Sequence, residues 1–390
     1  MASPRVILHL DLDAFFCAVE EIKDPGLGGK AFAVGGSPTG RGVVTSASYP
    51  ARKQGIHSAM PMAQAIQLCP NLIIVSGDHR SYRHYSKKVM ACLAALSPQI
   101  EQISIDEAFL DITELGSSPR AIGLQLQGTI LEDLDLPNSV GIAGNKLVAK
   151  IATDVGKKAA AGDRPPNSIT VVPPGEESNF LAPLPVDMLW GVGPKTKERL
   201  EQINIHTIGD LAAYPVIELS RVFRKHGYDL SQRAQGIDQR DIVTEREIKS
   251  VSNELTFRED IGRKSDVLKS INKLSKKVAQ RLGAKNLKGK TIQIKLRWSD
   301  FTTLTRQKTL PKTTNDTSAI QRTASSLLDQ VWEEGRLVRL VGVGVSNLDT
   351  EAQQLGLWDP EVKKDLQLEQ ALKDLRERFG EDVIGRGINK

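Results

Sequence analysis

Three acidic side chains that are far apart in the sequence are candidates for joint metal binding. Asp11 ends an apolar segment, and Asp106 and Glu107 stand side by side much later in the chain. Phosphoryl transfer to a sugar hydroxyl needs neutralisation of the triphosphate and deprotonation of the attacking hydroxyl, and two magnesium ions supply both. Mg²⁺ prefers hard oxygen ligands and keeps several waters, so two or three carboxylates suffice. These acids therefore indicate metal-assisted phosphoryl transfer, provided that the fold brings them together.

The segments around the acids predict how they meet. Residues 5–12 read RVILHLDL, which is typical of a buried strand with carboxylates at its C-terminal end. Adjacent side chains of a strand point to opposite faces, so Asp106 and Glu107 can share a site only if a turn interrupts the strand there. The apolar residues on both sides of the pair in EQISIDEAFLDIT fit two strands joined at that turn. We expect the three acids to cluster at one edge of a central sheet.

A lone acid after a strand is usually a turn or cap residue, and an Asp-Glu pair alone is more often a solvated turn. Asp13 precedes the helical segment AFFCAVEEI, so we predict that it is the N-cap of that helix.

The bulk composition is that of a globular protein with two to four domains, since 40% of its 390 residues are hydrophobic and 25% are charged. No long uncharged apolar run occurs, and the start MASPRVILHLDLD places acids where a signal peptide needs apolar residues. We therefore expect a soluble, cytoplasmic protein. Cys17, Cys69 and Cys92 form no CxxC pair and predict neither a disulfide framework nor a zinc site.

Positive charge is concentrated in one segment. Residues 245–350 carry 21 Lys and Arg against 12 Asp and Glu, a surplus of 9, so the rest of the chain has 5 − 9 = −4. Such a surplus is a fair electrostatic signature of nucleic-acid binding, and a solvated Lys-rich helix face is the alternative.

The pattern along the chain predicts an α+β protein of several parts. Residues 26–75 are short strand and turn material, and Pro-rich stretches mark a domain edge near 175–185. Helical segments occupy about 186–237. A βαββαβ unit follows, with helices expected on one face of its sheet. Its predicted elements are strand 248–257, helix 263–284, strands 289–298 and 301–310, helix 317–333 and strand 338–346.

The segments HLDLDAFFCAVEE, SYPARKQGI and EQISIDEAFLDI, in this order, resemble the Y-family of DNA polymerases, and the likeness extends over nearly the whole chain. The resemblance implies that Asp11, Asp106 and Glu107 are catalytic and bind two Mg²⁺ ions, for which Mn²⁺ could substitute, and that the carbonyl of Leu12 completes one site. It implies a right-hand polymerase with a ferredoxin-like palm, small fingers, a helical thumb containing a helix-hairpin-helix, and a βαββαβ-type little finger. The corresponding bounds are palm 1–20 and 76–176, fingers 21–75, thumb 177–240, little finger 245–350 and tail 351–390.

The resemblance also implies residues for the incoming nucleotide. Ser46, Tyr49 and Arg52 would bind the triphosphate, for which Arg is chemically suited. Lys157 corresponds to the phosphate-binding lysine of the family, although Lys157-Lys158-Ala159 departs from the usual Lys-Pro-x-Gly turn and leaves Lys158 as the alternative.

Phe16 corresponds to the steric gate that excludes a 2′-hydroxyl and so favours deoxynucleotides. The alternative is a core aromatic, because only one of the adjacent Phe15 and Phe16 can face the site.

DNA contacts are implied in two regions. LWGVGPKTKERLEQINIHTIGDLA has the form of a helix-hairpin-helix, in which Gly191 and Gly193 join two short helices and Lys195 lies near the phosphate backbone. In the basic unit, Arg297, Arg306 and Lys308 on the predicted strands are better candidates for phosphate contacts than the helix lysines.

Gln354, Leu355, Leu357 and Trp358 resemble the QLxLF-type peptide by which bacterial polymerases bind the sliding clamp. The alternative is a tail that folds back on its own domain.

The resemblance thus implies a DNA polymerase that binds primer-template DNA, dNTP and a sliding clamp and performs low-fidelity translesion synthesis. We expect it to act as a monomer without membrane association and without proofreading. Two alternatives belong to other classes. A nucleotidyl cyclase shares paired acids on a palm-like sheet but would not need the glycine hairpin or the basic unit. A non-catalytic DNA-binding scaffold would not need the three acids.

Overall fold

A computed structural model describes residues 4–160 and 162–350. The chain divides into two compact units, Met1–Glu247 and Ile248–Lys390.

The first unit is built on a five-stranded sheet with the order β5-β6-β1-β7-β8. β1 lies at its centre and is antiparallel to both β6 and β7, whereas β7 and β8 are parallel. The strands are β1 Ile7–Leu12, β5 Ile100–Gln102, β6 Glu107–Asp111, β7 Asn138–Ala143 and β8 Ile169–Val171.

Successive side chains of β1 point to opposite faces of the sheet and pack into two different cores. Leu8, Leu10 and Leu12 pack into one core with residues of the helices α1, α4 and α5, whereas Ile7 belongs to another with residues of α6. On the same face as Ile7, His9 Nδ1 lies 2.8 Å from the hydroxyl of Thr153 on α6. The helices are α1 Phe15–Lys23, α4 His79–Leu96, α5 Pro119–Leu134 and α6 Lys146–Ala159. Asp11 therefore projects from the sheet on the α6 side.

A small module with its own core is inserted between α1 and α4. Its three-stranded sheet has the order β3-β2-β4, and its core includes Val44, Ile56 and Met62. The elements are β2 Phe32–Gly35, β3 Val44–Ala47, α2 Tyr49–Arg52, α3 Met62–Leu68 and β4 Ile73–Val75.

A helical region follows the sheet. It comprises α7 Glu177–Leu181, α8 Pro194–Glu201, α9 Ile208–Ala213, α10 Val216–Phe223 and α11 Lys225–Ala234. Gly191 has φ +104°, a backbone conformation that residues with a side chain rarely adopt, so the turn favours glycine at this position. The prediction that the glycines join two short helices is confirmed, because a 3₁₀ helix, Val186–Met188, precedes them and α8 follows.

The segment after α11 is bound to the sheet by a buried ion pair. Lys146 Nζ donates to Glu101 Oε2 at 2.7 Å and to the carbonyl of Asp241 at 2.6 Å. Glu101 also accepts from the amide of Val243 and from Arg246. This part of the chain is therefore fixed although it contains no helix or strand.

The second unit has the predicted order of elements. They are β9 Ser250–Ile261, α12 Lys264–Gly283, β10 Leu287–Trp298, β11 Thr303–Thr314, α13 Thr317–Asp329 and β12 Val338–Thr350. The four strands are antiparallel in the order β11-β10-β12-β9. Ile292, Ile294 and Leu296 alternate toward one core that contains residues of both helices, so the α+β prediction is confirmed.

Among the described residues, no helix combines the length and apolar character needed to cross a bilayer.

Candidate active site

The structure brings the three predicted acids to one end of β1. Asp11 on β1 is paired in register with Glu107 on β6, and the amide of Leu12 donates to the carbonyl of Asp106 at 3.1 Å. β5 ends at Gln102 and β6 begins at Glu107, so Asp106 lies in the turn between the two strands and Glu107 begins β6, as the alternation argument predicts.

Ser104 shapes that turn. Its hydroxyl accepts from the amides of Asp106 and Glu107 at 3.2 and 2.9 Å and donates to Asp106 Oδ1 at 2.5 Å. A single serine side chain thus occupies the amides of the turn and holds one of the carboxylates. Sequence reasoning missed Ser104, although its position just before the acids is a usual one for a turn-forming serine.

Two lysines of α6 offset the acidic charge. Lys157 Nζ lies 2.7 Å from Asp11 Oδ1 and 3.0 Å from Asp13 Oδ1, and Lys150 Nζ lies 2.9 Å from Glu107 Oε1. Over residues 4–160 and 162–350, no three acidic, His or Cys side chains stand in an arrangement ready to hold a metal. The oxygen donors nevertheless suit a hard divalent cation, because they are carboxylates whose charge already attracts cationic groups.

Burial and neighbouring charges shift the pKa values of several residues in the site. Burial raises the pKa of Glu107, and Asp11 and Asp106 raise it further, against the opposing effect of Lys150. Burial also raises the pKa of Asp154. For Lys157, burial opposes the charged form, but Asp11 and Asp13 outweigh it and raise the pKa above its ordinary value. Negative charge therefore dominates this end of the sheet, as a cation site requires.

Asp13 is not the N-cap of α1, and that prediction was wrong. The cap position is Ala14, and no side chain caps the helix. Asp13 is instead fully buried, and its carboxylate accepts from the hydroxyl of Ser139 at 2.9 to 3.0 Å and from the amide of Asn167 at 3.1 Å. The donors come from residues distant in sequence, so a local capping argument could not find them.

A cavity of about 230 Å³ opens beside the acids. It is lined by most of the residues predicted to bind metal and nucleotide, namely Asp11, Leu12, Phe16, Ser46, Arg52, Asp106 and Lys157. Tyr49 lines a neighbouring cavity with Asp13 instead, and Glu107 is not on the cavity wall. Thr45 and Ser58 also line this cavity and were missed by the sequence argument.

The structure distinguishes the two candidate lysines. Lys157 lines the cavity, whereas Lys158 Nζ lies 2.6 Å from Met188 Sδ. Arg52 is oriented by a hydrogen bond of 2.9 Å from its Nε to the carbonyl of Ala47, and its guanidinium lies 4.9 Å from the centre of the Tyr49 ring.

Phe16 and Phe15 have different environments. Both rings line the cavity, but Phe15 is almost fully buried in the core, whereas Phe16 is only partly buried. The ring of Phe16 stacks on Tyr82 with centroids 4.1 Å apart and an interplanar angle of 10°. Tyr82 is fixed in turn by a hydrogen bond of 2.6 Å to Glu20 Oε1. The ring of Phe16 at the cavity is therefore held in place by its stacking on Tyr82.

The predicted DNA contacts are spread over two regions. Gly191, Gly193 and Lys195 are exposed around the start of α8. In the second unit, Arg306 and Lys308 pair with the core-facing Ile294 and Ile292. Arg297 pairs with Thr303 and projects from the opposite face, so the three strand cations do not form one row. The predicted clamp-binding residues Gln354, Leu355, Leu357 and Trp358 lie outside the described residues.

Comparison with known proteins covers both units. The impB/mucB/samB family matches residues 10–154, its C-terminal domain matches 248–357, and the helix-hairpin-helix motif of the same family matches 174–205. A DNA polymerase IV from Dehalococcoides mccartyi is 39% identical over 389 residues, which cover 99% of this chain and 97% of the relative. One from Listeria monocytogenes is 39% identical over 351 residues, covering 89% and 96%.

Solved structures agree with these sequence matches. A chimera of the Y-family DNA polymerases Dbh and Dpo4 has a TM-score of 0.80 and 28% identity, covering 88% of this chain and 99% of the chimera. A structure described as an insertion ternary complex of Dbh DNA polymerase has a TM-score of 0.63 and 26% identity, with the same coverage.

The matches include the acidic site, the helical region and the second unit, and they define the class as DNA-directed DNA polymerase. The chain belongs to the Y-family of DNA polymerases, whose members carry out translesion synthesis, and within it to the DNA polymerase IV group. This placement excludes both the nucleotidyl cyclase and the non-catalytic scaffold. Dependence on divalent metal is general in the family.

Proposed function

We propose that this protein extends a primer 3′-hydroxyl with dNTPs by two-metal-ion catalysis at the end of β1. The observation that carries the proposal is the register pairing of Asp11 with Glu107, with Asp106 in the adjoining turn and a lysine on each paired acid. Such an arrangement concentrates carboxylate oxygens beside a cavity that opens to solvent.

Asp11, Asp106, Glu107 and the carbonyl of Leu12 would hold two Mg²⁺ ions, with Mn²⁺ as a substitute. Bound there, the ions would favour ionisation of the primer hydroxyl and offset the charge of the triphosphate. The donor set fits this assignment because it consists of oxygen atoms only.

The cavity supports a dNTP site. Lys157, Arg52 and Ser46 present cationic and hydroxyl groups to it, which suits a triphosphate, and Tyr49 lies beside Arg52. The ring of Phe16 would exclude a 2′-hydroxyl, because stacking on Tyr82 prevents it from moving away from the sugar.

We assign palm to 1–20 and 76–176, fingers to 21–75, thumb to 177–240, little finger to 245–350 and tail to 351–390. The protein would bind the phosphate backbone of primer-template DNA. The contacts would come from Gly191, Gly193 and Lys195 in the thumb and from Arg297, Arg306 and Lys308 in the little finger. Backbone contacts of this kind position the duplex without reading its sequence.

Several finer properties complete the proposal. The polymerase acts as a cytoplasmic monomer with low fidelity and without proofreading. It binds a sliding clamp through Gln354, Leu355, Leu357 and Trp358. The motif itself supports the clamp assignment, because two leucines and an aromatic residue suit a hydrophobic groove.

Primer extension with Mg²⁺ tests the catalytic assignment. Asp106→Asn and Glu107→Gln should each lower kcat by about a hundredfold or more, since each removes charge that faces the reacting phosphate. The matched control is Glu132→Gln, which removes an exposed carboxylate of the same unit. The affinity for primer-template should stay within about threefold of wild type in all variants, because the proposed phosphate contacts lie elsewhere. Near wild-type extension by either site variant, or incorporation that ignores the template base, would contradict the proposal.

A further inference from the structure

Lys157 lies between two carboxylates that differ in their surroundings. Asp11 lines the cavity, and its side chain is 14% exposed, whereas the side chain of Asp13 is fully buried and is not on the wall of that cavity. Asp13 lines only the neighbouring cavity, and its side chain has no solvent exposure. The same ammonium group therefore has one partner on the wall of the cavity beside the acids and one partner that is enclosed.

The buried partner is rigidly held. Ser139, near the start of β7 next to β1, donates its hydroxyl to both carboxylate oxygens of Asp13, and the amide of Ser168 donates to that hydroxyl at 3.2 Å. The amide of Asn167 donates directly to Asp13 Oδ2 at 3.1 Å. The carboxylate is thus fixed by β7 and by the segment that leads into β8.

Any ligand that enters the cavity competes for only one of these partners. A triphosphate attracts the Lys157 ammonium away from Asp11, and a cation bound by Asp11 has the same effect through repulsion of the lysine. A ligand in the cavity cannot replace Asp13 as a partner of Lys157 in this way, because the Asp13 carboxylate is enclosed. It therefore remains as the group that fixes where the ammonium can stand.

We propose that Asp13 is a positioning residue that holds the Lys157 ammonium at the nucleotide site while Asp11 is released to other partners. The inference rests on the proposed role of Lys157 in triphosphate binding. It assigns no contact between Asp13 and substrate. Without Asp13, the long lysine side chain would be free to adopt several rotamers, and more conformational entropy would be lost on binding.

A double-mutant cycle tests the inference. Wild type, Asp13→Asn, Lys157→Ala and the double variant are compared for kcat and for the KM of dNTP at saturating primer-template. The equilibrium affinity for a fluorescent dNTP is measured in EDTA, where no turnover occurs. Lys158→Ala is the matched control, since its ammonium contacts Met188.

Lys157→Ala should raise both the KM and the Kd about tenfold, as expected for loss of a charge-assisted contact. Asp13→Asn should raise them about fivefold with kcat changed less than about twofold, and the double variant should be no worse than Lys157→Ala alone. Lys158→Ala should match wild type. A purely structural role of Asp13 would give effects that multiply in the double variant, and this result would overturn the inference.

Failure of the inference can be told apart from failure of the proposed lysine role. If Lys157→Ala leaves the KM and Kd unchanged, Lys157 does not bind the triphosphate and both ideas fall. If Lys157→Ala has its effect and Asp13→Asn does not, only the positioning role is wrong.

Thermal melting checks that each variant is folded. If Asp13→Asn does not fold, Ser139→Ala takes its place, because it keeps the carboxylate and removes one of its donors. It should raise the dNTP KM about twofold in the wild-type background and not at all beside Lys157→Ala. An equal increase in both backgrounds would also overturn the inference.

Discussion

Asp11 and Glu107 lie directly opposite each other on neighbouring antiparallel strands, and each is ion-paired with a different lysine of α6. Side chains of such a cross-strand pair project on the same face of a sheet. The pairing therefore concentrates negative charge at one place and lets a single helix offset it. Lys150 and Lys157 are spaced by two helical turns, which puts both ammonium groups on the face of α6 that covers β1.

The stacked ring of Phe16 predicts sugar discrimination. Phe16→Ala should lower the preference for dNTP over rNTP by at least about tenfold, because the space for a 2′-hydroxyl opens while the other cavity residues remain. The ratio of kcat/KM for the two nucleotides measures it.

Phe32→Leu is the matched control for Phe16→Ala. Phe32 is buried in the core and lines no part of the cavity beside the acids, so its replacement should lower the free energy of unfolding by about 1–2 kcal/mol and leave the sugar preference unchanged. Loss of discrimination in the control, or its retention in Phe16→Ala, would refute the gate.

The ion pairs of Glu101 predict that the free energy of unfolding depends on pH. Burial opposes its charge, but Lys146, the amide of Val243 and Arg246 outweigh burial and lower the pKa of Glu101 below the ordinary 4.5. A lowered pKa stabilises the folded state above the unfolded value, and this contribution is lost as the pH falls through the folded value. Glu101→Gln should therefore cost about 3 kcal/mol near neutral pH, since it leaves Lys146 buried without its ionic partner.

Urea unfolding at several pH values measures the Glu101 effect. The difference between wild type and Glu101→Gln should shrink progressively below pH 4.5. Glu132→Gln, at an exposed site, should show no such trend. A difference that is constant with pH would show that charge is not the cause.

The two glycines near α8 should respond differently to alanine. Gly191→Ala should destabilise the protein by about 1–3 kcal/mol, because alanine is strained at φ +104°. Gly193 has φ −88°, and a Cβ at this position would meet no atom within 4 Å, so Gly193→Ala should change stability by less than about 0.5 kcal/mol. Chemical denaturation measures the free energy of unfolding of both variants. Equal losses of stability would contradict the turn geometry.

The strand cations of the second unit predict the salt dependence of DNA binding. The double variant Arg306→Ala/Lys308→Ala should reduce the slope of log K against log salt by about 2, as expected if each neutralises one phosphate. The matched control replaces Lys276 and Lys277, two exposed lysines of α12. Fluorescence anisotropy over a salt series gives the slopes. Equal slopes for both double variants would contradict the assignment of Arg306 and Lys308 as phosphate contacts.

Sequence reasoning located the acidic site because its signals are local. The strict alternation of strands required a turn beside Asp106 and Glu107, and the order of elements in the second unit followed from the apolar period. It failed where partners are distant. Asp13 resembled a helix cap, yet its donors Ser139 and Asn167 come from β7 and the segment before β8.

The compensating lysine Lys150 was also invisible in the sequence. Its spacing from Lys157 is that of any amphipathic helix, and only the packing of α6 against β1 reveals what it neutralises. The faces of Arg297 and Arg306 could not be separated either, because strand register is set by pairing with neighbours.

Anomalous scattering from Mn²⁺ in crystals with primer-template and a non-hydrolysable dNTP would locate the metal ions at the active site. We expect two manganese peaks beside the carboxylates of Asp11, Asp106 and Glu107, at about 2.0–2.3 Å from oxygen, with Lys157 moved off Asp11. Manganese bound away from these acids, or an ordered nucleotide with Lys157 still paired to Asp11 and no metal beside it, would contradict the account.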